Sequence, residues 1–337
     1  MQNLPAWQRR LVTVPIVLIM WLVAILLAPP LLVVAILVDM VRRLRSRTPP
    51  IAWRLYTFLI IYLTAEVGAI LGSLWIWLIS PFGSNRQRIV MMTFGLQRWW
   101  ATFLWESACL IFGFHLEVEG RQLITPGPIL VLSRHASIVD NLLPFQVFTR
   151  HDRIRLRYVF KKELLLDPAI DIAGNNLLSH FVDRKGTDTD RELAALRRLA
   201  TDLRSDEGVL IYPEGTRYSP EKRERALAAL GKSPRLLALG QGLHNLLPPR
   251  LGGVTALLDV SSADVIVMGH KGLEGFARIK DIWSSGMLGS EVRVRLWRIA
   301  RSEVPEGRRP RIEWLYGVWT EMDRWLTGTH ALEARDG

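Results

Sequence analysis

Residues 128–140 carry the sequence Pro-Ile-Leu-Val-Leu-Ser-Arg-His-Ala-Ser-Ile-Val-Asp, in which an apolar run passes directly into a polar segment. A short apolar run that ends at a turn is typical of a buried strand. His135 and Asp140 follow it, and on one continuous helix residues at this spacing would point about 140° apart. They can therefore meet only if the chain turns between them, as a strand, a turn and a helix beginning near Ser137 would allow.

His135 and Asp140 are a candidate general base and its orienting acid. If the chain turns between them, Asp140 could accept a hydrogen bond from one imidazole nitrogen. That bond would fix the tautomer of the ring and strengthen the other nitrogen as a base. The alternative is a surface histidine with an unrelated aspartate nearby, because this spacing is common.

Two later segments have the residue types that anion binding needs. Residues 213–217 are Pro-Glu-Gly-Thr-Arg and follow an apolar strand, whereas residues 181–184 are Phe-Val-Asp-Arg. Gly215 lets the backbone approach a ligand closely, and Arg217 offers two parallel donors to a phosphate. Each segment alone also has an ordinary explanation. The first could be a turn with a surface salt bridge, and the second a strand end with an exposed arginine.

The three segments, taken together and in this order, resemble the glycerolipid acyltransferase family. His135 and Asp140 match the family's histidine and aspartate separated by four residues. Phe181 and Arg184 match the aromatic-x-x-arginine pattern that ends its second block, and residues 214–217 match its Glu-Gly-Thr-Arg block. The resemblance covers residues 129–258.

The sequence departs from the family pattern at two places. Arg134 stands where many members have asparagine, which leaves the acceptor preference open. The fourth family block, an apolar run with a proline, is poorly marked, and residues 248–250 (Pro-Pro-Arg) are its best candidate. Residues 245–253 and 314–326 also loosely resemble the subgroup that includes lysocardiolipin acyltransferases.

The resemblance implies a membrane-bound enzyme that acylates lysophosphatidic acid to phosphatidic acid. His135 would take the proton of the acceptor hydroxyl, Asp140 would orient His135, and the alkoxide would attack an acyl thioester without an acyl-enzyme. The implied co-substrate is acyl-CoA or an acyl carrier protein thioester, with no cofactor. Glu214 would orient the loop, and the cations would hold the acceptor phosphate. The implied substrate-binding residues are Lys161, Phe181, Arg184, Glu214, Gly215, Thr216 and Arg217.

Three other functions stay open at the level of sequence. The acceptor could be glycerol-3-phosphate or another lysophospholipid, such as lysocardiolipin. The same histidine and aspartate could serve a hydrolase or a transacylase. A non-catalytic membrane adaptor is the third alternative, although it would not need the histidine, the carboxylates and the arginines.

The N-terminal region is strongly apolar over residues 11–38, with Pro29-Pro30 inside, and again over residues 55–79. Each stretch exceeds the roughly 20 apolar residues that span a bilayer. Because the loop between them is the most basic flank, two plain spans would violate the positive-inside rule. We therefore expect a re-entrant helical hairpin with all basic flanks cytoplasmic. The expected domains are an anchor (1–85) and a catalytic domain (86–337) on the cytoplasmic face, with an interfacial helix at about 86–114.

From residue 114 onward, short β-type runs alternate with helical stretches. This pattern predicts an α/β fold with a mixed β-sheet flanked by helices. The alternation over 291–297 further predicts a half-exposed strand at a sheet edge. The predicted strands are 115–118, 129–133, 157–160, 208–212, 253–258, 265–269 and 291–297, and the predicted helices are 139–149, 191–205, 220–229 and 311–326.

The composition of the chain limits the classes of partner and ligand that we expect. The 337 residues carry a formal net charge of +11, which favours anionic partners such as lipid head groups, phosphates and coenzyme A. No basic-aromatic nucleic-acid motif is present, so we expect no nucleic-acid partner. Cys109 is the only cysteine, and cysteines and histidines do not cluster at metal-ligand spacing. We therefore expect no metal.

Overall fold

The computed structural model describes residues 4–80, 85–137, 139–182, 189–274, 281, 283, 285, 286 and 288–333. The chain divides into two compact units. The first, called the helical unit, comprises Met1–His115, Asn141–Thr187 and Ile279–Ser290. The second, called the sheet unit, comprises Leu116–Asp140, Asp188–Arg278 and Glu291–Gly337. The predicted domain boundary at residue 85 stays a prediction.

The helical unit begins with four long helices, which are α1 (Ala6–Leu26), α2 (Ala28–Ser46), α3 (Ala52–Leu78) and α4 (Arg86–Phe112). Helices α1 and α2 separate at Leu27, just before Pro29-Pro30, so the first apolar stretch is divided beside its proline pair. By length and composition, α1 and α3 could each cross a membrane. The predicted helix at 86–114 is present as α4, while its interfacial position stays a prediction.

Buried polar contacts hold the helical unit together. Helix α5 (Pro168–Asn176) carries Asp171, which is fully buried and forms an ion pair with Arg9 of α1 at 2.5 Å. Glu66 of α3 is also buried and accepts hydrogen bonds from Trp100 Nε1 at 3.0 Å and from the Ala169 backbone N–H at 3.3 Å. The carboxyl in the second apolar stretch is therefore hydrogen-bonded within this unit, as a buried polar group must be.

The helical unit also contains two parallel strands, β3 (Arg155–Lys161) and β4 (His180–Val182). Neither β4 nor α5 was predicted, because both are short and have no regular apolar period.

The sheet unit is built on strands in the order β1 (His115–Glu119), β7 (Glu291–Ile299), β6 (Asp264–Lys271), β2 (Ile129–Ser133) and β5 (Glu207–Ile211). Strand β2 is wholly buried and pairs in parallel with both β5 and β6, whereas β7 pairs antiparallel with β6. The mixed sheet of the sequence prediction is thus confirmed. Its helices are α6 (Thr189–Ala200), α7 (Pro220–Leu230), α8 (Pro234–Gln241), α9 (Leu251–Leu258) and α10 (Arg308–Glu333).

Two predicted elements are wrong in type. The predicted strand at 253–258 is part of helix α9, because a short apolar run does not by its period distinguish a strand from a buried helix. Gly253 brings α9 so close to β5 that an added Cβ would lie 2.8 Å from Ile211 Cδ1. The predicted helix at 139–149 is instead a 3₁₀ turn (Val139–Asn141) and a π-helical turn (Phe145–Thr149).

Strand β7 alternates between buried and half-exposed residues as predicted, but it is not an edge strand, because it lies between β1 and β6. Its arginines face acids on β1: Arg293 lies 3.5 Å from Glu117, and Arg295 lies 3.4 Å from Glu119. A row of charges along a strand can therefore mark cross-strand ion pairs as well as an open edge.

Candidate active site

The carboxyl ends of three strands of the sheet unit meet at one edge. Ser133 at the end of β2 is in register with Met268 of β6, and Leu132 is in register with Ile211 at the end of β5. Because parallel strands end at the same edge of a sheet, the segments that follow them are neighbours. His135 follows β2, and Glu214 follows β5.

The structure places His135 and Asp140 in direct contact. Nδ1 of His135 lies 3.0 Å from Oδ2 of Asp140, and both side chains are buried. The chain turns back over residues 134–137 before the 3₁₀ turn that carries Asp140, which is the local bend that this spacing requires. A ring that donates from Nδ1 to a carboxylate carries its basic lone pair on Nε2.

Oδ2 of Asp140 also organises the backbone between the two residues. It accepts the backbone N–H of Ala136 at 2.6 Å and that of Ser137 at 2.7 Å. Burial alone would raise the pKa of Asp140, but His270, the His135 ring and the Ser137 N–H together outweigh it and lower the pKa below its ordinary value. Asp140 is therefore an anion that holds both the ring and the loop.

Glu214 ties the loop after β5 to the loop after β2. Its Oε1 accepts the backbone N–H of His135 at 2.8 Å, and its Oε2 accepts the backbone N–H of Leu247 at 3.0 Å. The side chain is only 2% exposed, and this burial raises its pKa to about 7, although the two N–H donors oppose the rise. Glu214 thus links the backbone of His135 to that of Leu247, while its role in orienting the loop for substrate stays a prediction.

Tyr212, at the end of β5, completes the support of the pair. Its hydroxyl donates to the backbone oxygen of Asp140 at 2.9 Å, and its ring lies 4.5 Å from that of His135 between centroids. The contact restricts the imidazole from one side. Tyr212 was not predicted from the sequence, because an aromatic residue at the end of a strand carries no distinctive signal.

The turn after Glu214 brings cations to this edge. Gly215 has a φ of +69°, and a Cβ there would lie 2.8 Å from Nε of Arg250. The backbone N–H of Arg250 bonds to the carbonyl of Pro213 at 2.8 Å, which fixes its position beside the turn. Thr216 Oγ1 accepts a hydrogen bond from Lys222 Nζ at 3.0 Å. Glycine is needed here both for its positive φ and for the close approach of Arg250.

Arg134 has a structural position. Its side chain is 3% exposed, and its Nη1 donates to the backbone oxygen of His270 and to the carboxylate of Glu274. Arg134, which stands where many relatives have asparagine, therefore points into the protein, where its side chain is hydrogen-bonded to these partners.

Two further sequence-predicted residues lie on strands of the helical unit. Lys161 ends β3 and Phe181 lies in β4, both within the helical unit. The Phe181 ring packs against Phe160 at 5.6 Å and against Gly174, where a Cβ would lie 2.6 Å from the ring. Arg184 lies outside the described residues. Among the described residues, no group of three or more histidines, cysteines and acids could hold a metal ion.

The crystal structure of the 1-acyl-sn-glycerophosphate (LPA) acyltransferase PlsC from Thermotoga maritima has a similar fold, with a TM-score of 0.51 and 13% sequence identity. The similarity covers 81% of this chain and 98% of that one. The sequence model of the family described as Acyltransferase matches residues 115–268. Residues 115–268 are therefore similar to the Acyltransferase family, and the fold is similar to that of PlsC. Comparison with curated protein sequences gives no match.

The family match includes every site segment described above except the Arg134 partners His270 and Glu274, which lie just beyond it. The candidate site thus brings together a histidine, two buried carboxylates and a cation-bearing turn at one sheet edge. His270 had no signal in the sequence, since its position beside Asp140 depends on the order of strands.

The two hydrogen bonds of Glu214 yield a prediction. In Glu214→Gln one oxygen becomes an NH₂ group that must face a backbone N–H, so one buried donor loses its acceptor. We expect the free energy of unfolding to fall by about 1–3 kcal/mol and turnover to fall with it, because the backbone of His135 loses its anchor. Thermal unfolding and steady-state kinetics measure the two effects. Glu224→Gln, at an exposed position of α7, is the control, and a Glu214→Gln enzyme equal to it would contradict the assignment.

Proposed function

We propose that this protein transfers a fatty acyl group from an acyl thioester to the free hydroxyl of a lysophospholipid at a membrane, with lysophosphatidic acid as the leading acceptor and phosphatidic acid as the product. The observation that carries the proposal is the buried contact of 3.0 Å between His135 Nδ1 and Asp140 Oδ2. The choice of acceptor rests on the activity named for the Thermotoga maritima enzyme.

In the proposed reaction, His135 Nε2 takes the proton of the acceptor hydroxyl as the oxygen attacks the thioester carbonyl. Asp140 stabilises the imidazolium that forms. The tetrahedral intermediate collapses by breaking its C–S bond, and the thiolate leaves with the proton that His135 returns. One ester bond forms and one thioester bond breaks. No acyl-enzyme and no cofactor are required.

The acceptor phosphate would be held by cations at the turn after β5. Arg217 is the leading candidate, and the proximity of Arg250 to Gly215 supports a second cation there. Gly215 and Thr216 would offer backbone and hydroxyl groups to the same anion. For Lys161, Phe181 and Arg184, the proposal of a substrate-binding role rests on the family pattern.

A membrane location is supported by two features of the helical unit. Helices α1 and α3 are long and apolar enough to span a bilayer, and many of their large apolar side chains are exposed. We propose that these helices anchor the enzyme and that the catalytic domain lies on the cytoplasmic face, where the basic flanks would meet anionic lipid.

The proposal is tested by thiol release from palmitoyl- and oleoyl-coenzyme A by detergent-purified protein. Lysophosphatidic acid, glycerol-3-phosphate or no acceptor is added, and His135→Ala serves as the variant. We expect release that requires lysophosphatidic acid. In His135→Ala turnover should fall by about 10²-fold or more, because a general base contributes at least this factor. His244→Ala, at an exposed histidine of the sheet unit, is the matched control and should keep the parent rate.

Other outcomes point to the alternatives. Release with glycerol-3-phosphate alone would move the enzyme one acylation earlier, and release without an acceptor would favour a hydrolase. If no coenzyme A thioester reacts, acyl carrier protein thioesters and other lysophospholipids are tried next. Failure of all of them, with lipid binding retained, would favour a non-catalytic adaptor. Full activity of His135→Ala would contradict the assignment of the base.

The predicted hairpin is tested by labelling. A cysteine is placed at Ser46, the exposed last residue of α2, in a Cys109→Ala background. We expect an impermeant maleimide to label it only from the cytoplasmic face of sealed vesicles, because all basic flanks would then share that face. A second cysteine at Ser302, in the sheet unit, marks the catalytic side. Labelling of Ser46→Cys from the outer face alone would contradict the hairpin.

A further inference from the structure

A second histidine lies behind the catalytic pair. In the parallel register of β2 and β6, Ser133 faces Met268, so His135 and His270 each stand two residues beyond matched positions. His270 is completely buried, with 0% of its surface exposed. The family pattern contains no residue at this place, and the base chemistry proposed above does not require it.

His270 faces the oxygen of Asp140 that the catalytic pair does not use. Its Nε2 lies 3.5 Å from Asp140 Oδ1 and 3.3 Å from the backbone oxygen of Arg134. Oδ1 is buried and has no hydrogen-bond partner among the described residues, whereas Oδ2 accepts three N–H groups. With its hydrogen on Nε2, His270 has two acceptors within reach: the Arg134 oxygen, to which it is hydrogen-bonded, and Asp140 Oδ1, which is otherwise unsatisfied.

The surroundings favour a neutral His270 that donates from Nε2. Burial lowers its pKa, and the nearby Arg134 guanidinium adds to this, while Asp140 and Glu274 oppose it. Its Nδ1 is buried without a partner among the described residues, as suits an unprotonated nitrogen. Arg134 in turn donates to the backbone oxygen of His270, which fixes the end of β6.

We propose that His270 is a positioning residue, which holds Asp140 Oδ1 so that Oδ2 stays aligned on Nδ1 of His135. A carboxylate held at one oxygen only can rotate about its Cβ–Cγ bond, and a second donor stops that rotation. His270 thereby acts on His135 only through Asp140. The expected loss of turnover rests on the proposed function, whereas the expected effect of His270 on the His135 ring does not.

The test compares variants that differ in a donor at the Nε2 position. In His270→Gln the side-chain amide nitrogen can take the place of Nε2. His270→Asn is too short to reach Asp140, and His270→Met fills the space without a donor. Of these last two, the variant whose thermal midpoint is nearer to that of the parent is used, so that a folding defect does not decide the result. His244→Asn is the control at an exposed histidine.

Turnover gives the first readout. We expect kcat to fall by about 10- to 100-fold in the donor-free variant, the size of one lost hydrogen bond to a charged group, with KM changed less than about twofold and with His270→Gln largely restored. In an Asp140→Asn background the same substitution should cost nothing further, because residues that act through one another are not additive. An equal loss in both backgrounds would overturn the proposal.

The tautomer of His135 gives a readout that needs no turnover. Protein labelled with ¹⁵N in its imidazole rings is examined by NMR, and the His135 signals are assigned from their absence in His135→Ala. We expect one tautomer, protonated at Nδ1, in the parent and in His270→Gln, and a mixture in the donor-free variant. An unchanged His135 tautomer in that variant would overturn the proposal. If no substrate reacts, the proposed function fails, and this spectrum still decides the role of His270.

Discussion

The buried carboxylate of Asp140 is the group on which the candidate site depends. A buried carboxylate is costly unless hydrogen-bond donors surround it. Here Oδ2 of Asp140 accepts hydrogen bonds from Nδ1 of the His135 ring and from the backbone N–H groups of Ala136 and Ser137. The same oxygen therefore closes the loop after β2 and fixes the imidazole. Loop geometry and ring tautomer cannot change independently, and a base kept in one orientation loses little entropy when substrate arrives.

Glu214 extends this arrangement to the neighbouring strand ends. Asp140 shapes one loop, whereas Glu214 joins the backbone of His135 to that of Leu247, which precedes α9. The turn that follows Glu214 carries Gly215 and Arg217, so the residues proposed to bind phosphate are positioned by the carboxylate that also anchors the base. The proposed proton transfer and the proposed anion binding thus share one edge of the parallel part of the sheet, the place where open α/β sheets commonly bind ligands.

Much of this arrangement could be predicted from sequence. The apolar run before His135 and the alternation over β7 located strands, because burial imposes those periods on the chain. The pairing of His135 with Asp140 was implied by the family pattern, and the spacing added that the chain must turn between them. What sequence could not give depended on strand order or on close packing. The interior place of β7, the helical state of α9 and the positions of Tyr212, Arg250 and His270 all required the folded chain. The short turns found at 139–149, where a helix was predicted, likewise required the folded chain.

The central claim is that His135, held by Asp140, directs the acyl group to a lipid hydroxyl. It is tested most directly by mass spectrometry of the lipids made from isotopically labelled oleoyl-coenzyme A and lysophosphatidic acid in liposomes. The account predicts labelled phosphatidic acid in a one-to-one ratio with free coenzyme A, and neither product with His135→Ala. Label recovered as free fatty acid, or phosphatidic acid formed equally by the variant, would contradict it.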